Sequence, residues 1–333
     1  MLDINILKDS YEDAVKYEQN RKQYELNGKF FEDQDPVVEG SYEPLTEDFP
    51  FIRKGPIWAI KSFIYNTALN KYTKKINKEL TNLKIVGQEN LKGLKGAIIT
   101  CNHISKVDSF AVREACKENI MFVAAEFNNW KGAMGKISRN TGYIPLPANL
   151  NLKLMRKFNE AISFYLKKGK KILIYPEQAM WREFPKPRPL QNGAFHYAVI
   201  NNAPVLPMFI TVQPKTNPAD EQGRANFGDY TIHILPPIYP KKELTSKENE
   251  KYMKLENFRL CQECYEATYG IKLKYTTKKE VWDKNFNEYN QFLTDLTKQK
   301  QPIKPVNVSK VKKSVTAKRK AQQKTTNKKA TKK

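Results

Sequence analysis

The apolar positions of this chain fall into two periods. Short β-rich runs stand at 83–86, 97–101, 121–125, 172–175, 205–211 and 230–235. Between several of them the spacing lengthens to the helical 3.6. The clearest stretch is 152–168, where Leu154, Met155, Phe158, Ala161, Ile162, Tyr165 and Leu166 share one face. Lys153, Arg156, Lys157 and Lys167 lie opposite, and Gly169 closes the helix. Strands alternating with helices predict an α/β domain over 83–240, with a largely parallel central sheet flanked by helices. Active sites of such sheets sit at the carboxyl ends of the strands.

The flanks differ from this body. Residues 51–82 begin FIRKGPIWAIKSFIYNTALNKYTKK, with Ile57, Trp58, Ile60, Phe63, Ile64 and Leu69 interleaved with Lys61, Lys71 and Lys74. That composition suits an amphipathic helix in a lipid headgroup region, and equally one packed on its own domain. Residues 241–300 read as a charged helical extension. Residues 301–333 are rich in Lys, Thr, Ala, Gln and Asn and hold too little apolar surface to order themselves. No run reaches the roughly 18 apolar residues of a spanning helix, so any membrane contact is expected at the surface.

Charge sharpens the division. Residues 1–50 carry 13 acids and 5 bases, an acidic leader with turn signals at Asp35-Pro36 and Glu39-Gly40. The tail 301–333 carries 12 bases and no acid, and the whole chain is +23, which leaves 51–300 strongly basic. A basic body predicts a polyanionic partner: an anionic bilayer, an acidic carrier protein, a phosphorylated substrate or nucleic acid. No zinc finger, RNP-like motif or helix-turn-helix accompanies the charge, so no specific nucleic acid is expected, although anionic-surface or nucleic-acid binding without catalysis stands as the non-enzymatic alternative. The four cysteines form no disulfide framework, and the acidic start is unlike a secretory signal; a reducing, cytoplasmic compartment is the expectation. Cys261-x-x-Cys264 lies in a helical pattern with no second pair and no nearby histidine, so neither metal nor cofactor is expected.

Four short segments carry candidate chemistry. Asn102-His103-Ile104-Ser105-Lys106-Val107-Asp108 follows the strand 97–101 and opens a helix at 109–117. A carboxylate one turn into that helix can fold back on the imidazole and hold one ring nitrogen as N–H. The other nitrogen is then left to take a proton from an alcohol. Ile174-Tyr175-Pro176-Glu177 ends a buried strand on a carboxylate suited to substrate hydroxyls, and the amides after it suit an oxyanion. Gly142-Tyr143-Ile144-Pro145 follows a helical stretch, and Ala203-Pro204-Val205-Leu206-Pro207 leads into a strand.

In this order the four segments resemble the sequence blocks of the glycerolipid acyltransferases, the lysophosphatidate-acylating family with a His-x4-Asp motif. The resemblance covers roughly residues 55–240 and includes the lead-in Val86-Gly87-Gln88-Glu89-Asn90. It implies His103 as general base and Asp108 as its partner, without a covalent enzyme intermediate. It further implies substrate contacts at Asn102, Ser105, Gly142, Ile144, Glu177, Gln178 and Pro207. The donor would be an acyl carrier protein or CoA thioester, or an acyl phosphate, and the acceptor a lysolipid. The enzyme would sit peripherally on the inner face of the cell membrane. The rival reading makes Cys101 or Ser105 a nucleophile activated by His103. Trp130 and Trp181 are candidates for an acyl-pocket border or for plain core.

Two departures bear on the acceptor. The family's third block runs Pro-Glu-Gly-Thr-Arg, whereas here Met180 stands in the arginine's place; in the second block Ala148 does. Neither side chain can bind phosphate. Either Arg182, Lys186, Arg188, Lys153 or Arg156 has taken over, or the acceptor is a glycolipid, another lysolipid or a non-phosphorylated alcohol. His196 is read as structural, and His233, alternating within the strand 230–235, is assigned no role.

Overall fold

The computed structural model describes residues 3–33, 42–148 and 151–298. The turns expected at Asp35-Pro36 and Glu39-Gly40, and the tail 301–333, lie outside the described residues. The leader contributes helix α1 (Tyr11–Leu26), capped by Ser10, whose hydroxyl accepts the Asp13 N–H at 3.0 Å. Helix α2 (Pro56–Glu79) follows, with proline at its first turn. The body then alternates: β1 (Lys84–Val86), β2 (Ala97–Thr100), α3 (Asp108–Cys116), β3 (Met121–Ala125), α4 (Gly132–Asn140), β4 (Tyr143–Leu146), α5 (Leu152–Lys167), β5 (Lys171–Ile174), α6 (Gly193–Ile200), β6 (Val205–Gln213) and β7 (Asp229–Ile234). Helices α7 (Ser246–Tyr269) and α8 (Lys279–Lys298) close the described chain.

The seven strands form one sheet in the order β1-β7-β6-β2-β5-β3-β4. Five run parallel, while β7 is antiparallel to β6 and carries β1 parallel to itself. Side chains of each strand alternate between two cores. In β2, Ile98 faces the layer of α5, α6 and α7, while Ala97 and Ile99 face α2 and α3.

One strand was not legible as such. β4 carries Pro145, which reads as a break, but β4 is the edge strand, where a missing N–H is tolerated. Gly142, just before it, has φ +116, and a Cβ there would lie 2.5 Å from the Ile120 carbonyl oxygen. Helix α7 places Phe258, Leu260, Cys261, Cys264 and Tyr265 in the same core as α5 and α6, and the leader adds Phe30 to it.

The winding fixes where a site can be. From β2 the chain crosses through α3 on one face toward β3; from β5 it crosses through α6 on the other face toward β6. β2 and β5 are neighbours, so their carboxyl ends diverge to opposite faces and open a crevice between them. No helix among the described residues is long and apolar enough to cross a membrane.

Candidate active site

His103 lies just past the carboxyl end of β2 and Asp108 is the first residue of α3, so the seven-residue loop 101–107 brings them together. His103 Nδ1 lies 2.8 Å from Asp108 Oδ2. The same oxygen accepts the N–H groups of Ile104 at 2.9 Å and Ser105 at 3.1 Å, and Oδ1 accepts the Tyr175 hydroxyl at 2.6 Å. A carboxylate at a helix N-terminus also meets the positive end of the helix dipole. Asp108 is buried, with four groups converging on its two oxygens. The His103 side chain is 24% exposed, and Nε2 meets no hydrogen-bond partner among the described residues. The ring is therefore held on one side and open on the other.

Tyr175, at the end of β5, was not assigned a role from sequence. Its ring stacks on His103 at 4.0 Å and 15°. Burial, and then the neighbouring Asp108 charge, drive its pKa well above the usual phenol value, so it stays a donor to Asp108. An aromatic residue with a polar tip at a strand end was the available signal.

Glu177 turns back under the loop. Its Oε2 accepts the His103 backbone N–H at 3.1 Å, and Oε1 accepts the Arg188 N–H at 2.9 Å. The Arg188 guanidinium pairs with Oε2, donates to the Phe30, Ala179 and His103 carbonyls, and lies 4.7 Å over the Trp181 ring. Arg188 is only 1% exposed, so it braces the His103 loop and does not reach a substrate. Glu177 is likewise buried and paired. The Gln178 and Ala179 amides close the turn onto Tyr175 and Glu177 carbonyls and are not available to an oxyanion.

The remaining block residues are chiefly architectural. The Asn102 amide bonds both the N–H and the carbonyl of Ile210, at 2.8 and 2.9 Å. It extends the β2–β6 ladder past Pro207, the last paired residue of that register. Ser105 is buried, and its Oγ accepts the Val107 N–H at 3.3 Å just ahead of α3. Gly142 packs on Ile120, and Ile144 is core. Gln178 is exposed at the rim with φ +65, the left-handed conformation that suits the family's glycine. Trp181 is fully buried core, stacked on Phe30, whereas Trp130 is 39% exposed.

Burial, and then the Asp108 charge, push the Cys101 thiol well above its ordinary range, which keeps it protonated and unsuited to the nucleophile's role. Cys261 and Cys264 are buried, free thiols, and burial raises Cys264 to about 12. Among the described residues no His, Cys, Asp and Glu cluster is placed to hold a metal. A cavity of about 10 Å³ lies between Cys101, Glu177, Leu190, Phe209, Phe258 and Cys261, room for one water and none for an acyl chain. His196 is a surface residue bonded to Glu250 at 2.8 Å, and His233 is buried in β7.

The bases after the third block are all engaged. Arg182 pairs with Asp9 at 2.7 Å, and Lys186 with Glu25 at 2.6 Å. Both acids belong to the leader, whose negative charge against a basic body was the sequence signal for this docking. Ala148 donates its N–H to buried Glu126 at 2.9 Å.

Residues 82–211 match the sequence model of the Acyltransferase family, a span that contains His103, Asp108, Tyr175, Glu177 and Arg188. No curated protein matches the chain. Among solved structures, a similar one is the crystal structure of PlsC, the 1-acyl-sn-glycerophosphate acyltransferase of Thermotoga maritima. The identity is 19%, the match covers 68% of this chain and 89% of that one, and the TM-score is 0.49.

Proposed function

We propose that this chain, an acyltransferase by its domain at 82–211, moves a fatty acyl group onto a glycerolipid hydroxyl with His103 as general base. The observation that carries the mechanism is the His103–Asp108 pair at 2.8 Å with Nε2 unengaged, in the crevice between β2 and β5. Asp108 fixes Nδ1 as the protonated nitrogen, and Nε2 then accepts the acceptor's hydroxyl proton. The alcohol oxygen attacks the acyl carbonyl carbon as that O–H bond breaks. The carbon–sulfur bond of an acyl carrier protein or CoA thioester breaks next, or the carbon–oxygen bond of an acyl phosphate. The proton passes from the imidazolium to the leaving group, and Asp108 stabilises the imidazolium while it exists. No cofactor enters this scheme.

On this reading the reaction takes place at an anionic membrane surface, and the exposed face of α2 supports it. Its first half leaves Ile57 and Phe63 each 71% exposed, with Ile60 and Ile64 beside them. Lys61, Lys71 and Lys74 are exposed along the same helix. Apolar side chains among lysines match a bilayer rich in acidic lipid.

The test is mass spectrometry of lipids formed when the purified chain, on anionic vesicles, is offered mixed glycerolipid acceptors and thioester or acyl phosphate donors. A new acyl ester is expected. His103→Ala and Asp108→Asn should each lower turnover by about 10²–10⁴ while remaining folded by circular dichroism. Phe63→Ser with Ile60→Ser should release the protein from the vesicles. Release of free fatty acid alone would make the chain a hydrolase, and a folded His103→Ala with normal turnover would remove the base.

A further inference from the structure

Strand β5 runs Lys-Ile-Leu-Ile and hands over to Tyr175. Alternation puts Leu173 and Tyr175 on the face of the sheet that packs against α3, the helix whose first residue is Asp108. The phenol reaches that carboxylate. Its hydroxyl donates to Oδ1 at 2.6 Å, while its ring lies on the His103 imidazole at 4.0 Å and 15°. One side chain thus touches both members of the pair, each with a different part.

The carboxylate does not need the phenol for its aim. Oδ2 already meets His103 Nδ1 and the N–H groups of Ile104 and Ser105, at 2.8, 2.9 and 3.1 Å. What the hydroxyl changes is charge. While His103 is neutral, it donates to an uncompensated carboxylate. Once His103 has taken a proton, it donates to a carboxylate balanced by an imidazolium. The bond to the unbalanced charge is the stronger of the two, so the hydroxyl favours the neutral ring. The stacked ring face acts the other way, because it attracts a cation. Burial, and then the Asp108 charge, hold the phenol's pKa well above its usual value, so the hydroxyl remains a donor wherever a histidine titrates.

The other charges around the pair are already matched. Lys106 and Arg182 pair with Asp9, and Arg188 with Glu177. Glu183 accepts the Gly228 N–H at 2.7 Å. The Cys101 thiol, and the Tyr230 phenol of β7, are pushed upward chiefly by burial and stay protonated. Among the described residues, the Tyr175 hydroxyl is the one side-chain donor to Asp108 besides the imidazole.

We infer that Tyr175 is a positioning residue for acyl transfer: acting through Asp108, its hydroxyl holds the His103 imidazole in the unprotonated form that accepts the alcohol's proton, and so extends activity toward acid pH. This rests on the acyl-transfer reading above.

The variant that tests it is Tyr175→Phe, which keeps the stacked ring and removes the hydroxyl alone. Histidine NMR on the full chain follows each imidazole; there are three, and His103→Ala identifies the signal. In parallel, kcat/KM is measured against pH on monoacylglycerol or lysophosphatidate, whichever is turned over, because its acid limb reports the base of the free enzyme. Tyr175→Phe should move the His103 midpoint and the acid limb upward together, by about 0.5–1 pH unit. On that limb, kcat/KM relative to its own high-pH plateau should fall about threefold to tenfold. A tyrosine that only supports the fold would change the plateau or the unfolding midpoint and leave both titrations where they were. That result, or a movement toward lower pH, overturns the inference. If neither protein acylates either acceptor, the acyl-transfer reading fails on its own, and the NMR midpoint still decides the role of Tyr175.

Discussion

The ends of β2 and β5 each place a buried carboxylate against His103, and the two are used differently. Asp108 holds the imidazole, and its other partners are two amides and a phenol, all neutral. Glu177 holds the His103 backbone N–H and is matched by a buried guanidinium. The only cationic partner among Asp108's hydrogen bonds is the imidazole it bonds, and that one only when His103 takes a proton. Glu177 has a permanent one in Arg188. On the proposed mechanism, the carboxylate whose counter-charge comes and goes serves the chemistry, while the one with a fixed counter-charge serves the loop that presents it.

Neutralising Glu177 is the strongest way to break this comparison. Glu177→Gln leaves Arg188 charged, 1% exposed and without its partner. Losing one member of a buried pair costs about 3–5 kcal/mol. Guanidinium unfolding should therefore show a loss of that size, whereas Asp108→Asn should move stability far less than it moves turnover. If Glu177→Gln unfolds normally but abolishes turnover, Glu177 acts on the substrate and the division drawn here is wrong. The double change Glu177→Gln with Arg188→Met should recover part of the stability, because it removes both charges.

The two buried-side imidazoles sharpen the same point. His233 in β7 has no carboxylate against it among the described residues; its Nε2 lies 3.0 Å from the Thr211 hydroxyl, and burial lowers its pKa to about 4. The unfolded chain takes up that proton near pH 6.5, and the folded chain does so only near pH 4. Between those values the unfolded state binds more protons, so stability is complete above the upper value and declines as the pH falls. The shift corresponds to a loss of roughly 3 kcal/mol at most. Denaturant midpoints between pH 7 and 4 should fall less steeply in His233→Gln, which cannot titrate. An unchanged slope would mean that acid destabilisation has another source.

How far the sequence revealed the molecule follows from the range of the interactions involved. Period-two and period-3.6 runs are local, so five of the six short β-rich runs and α5 were readable to within a residue or so. The His103–Asp108 pair was readable because both residues sit on one loop. Three features were hidden because they join distant segments: Tyr175 on Asp108 across 67 residues, Arg188 on the Phe30 carbonyl across 158, and Asp9 on Arg182 across 173. Charge matching between leader and body was visible in composition, but which acid meets which base depends on the sheet that carries them. The same limit explains why Arg182 and Arg188 read as substrate ligands. A base following a motif looks free until its partner arrives from elsewhere in the chain.

The smallest effect is expected at Gln178, and it tests the β5 side without touching a charge. Its φ of +65 places a side-chain-bearing residue in the left-handed region, which costs about 1–2 kcal/mol relative to the right-handed one. Gln178→Gly relieves that cost but adds backbone freedom to the unfolded chain, which returns about 0.5–1 kcal/mol. The net change should lie between no effect and a stabilisation of about 1.5 kcal/mol by denaturant unfolding. Kinetics then say why a glutamine is there at all. The exposed amide stands at the rim, next to the Glu177 turn. If it bonds the acceptor's hydroxyls in ground and transition states alike, Gln178→Gly raises KM for the acceptor several-fold and leaves kcat unchanged. Unchanged KM with the same small gain in stability would make Gln178 a strained turn residue only, and the β5 side would then contribute scaffold and no recognition.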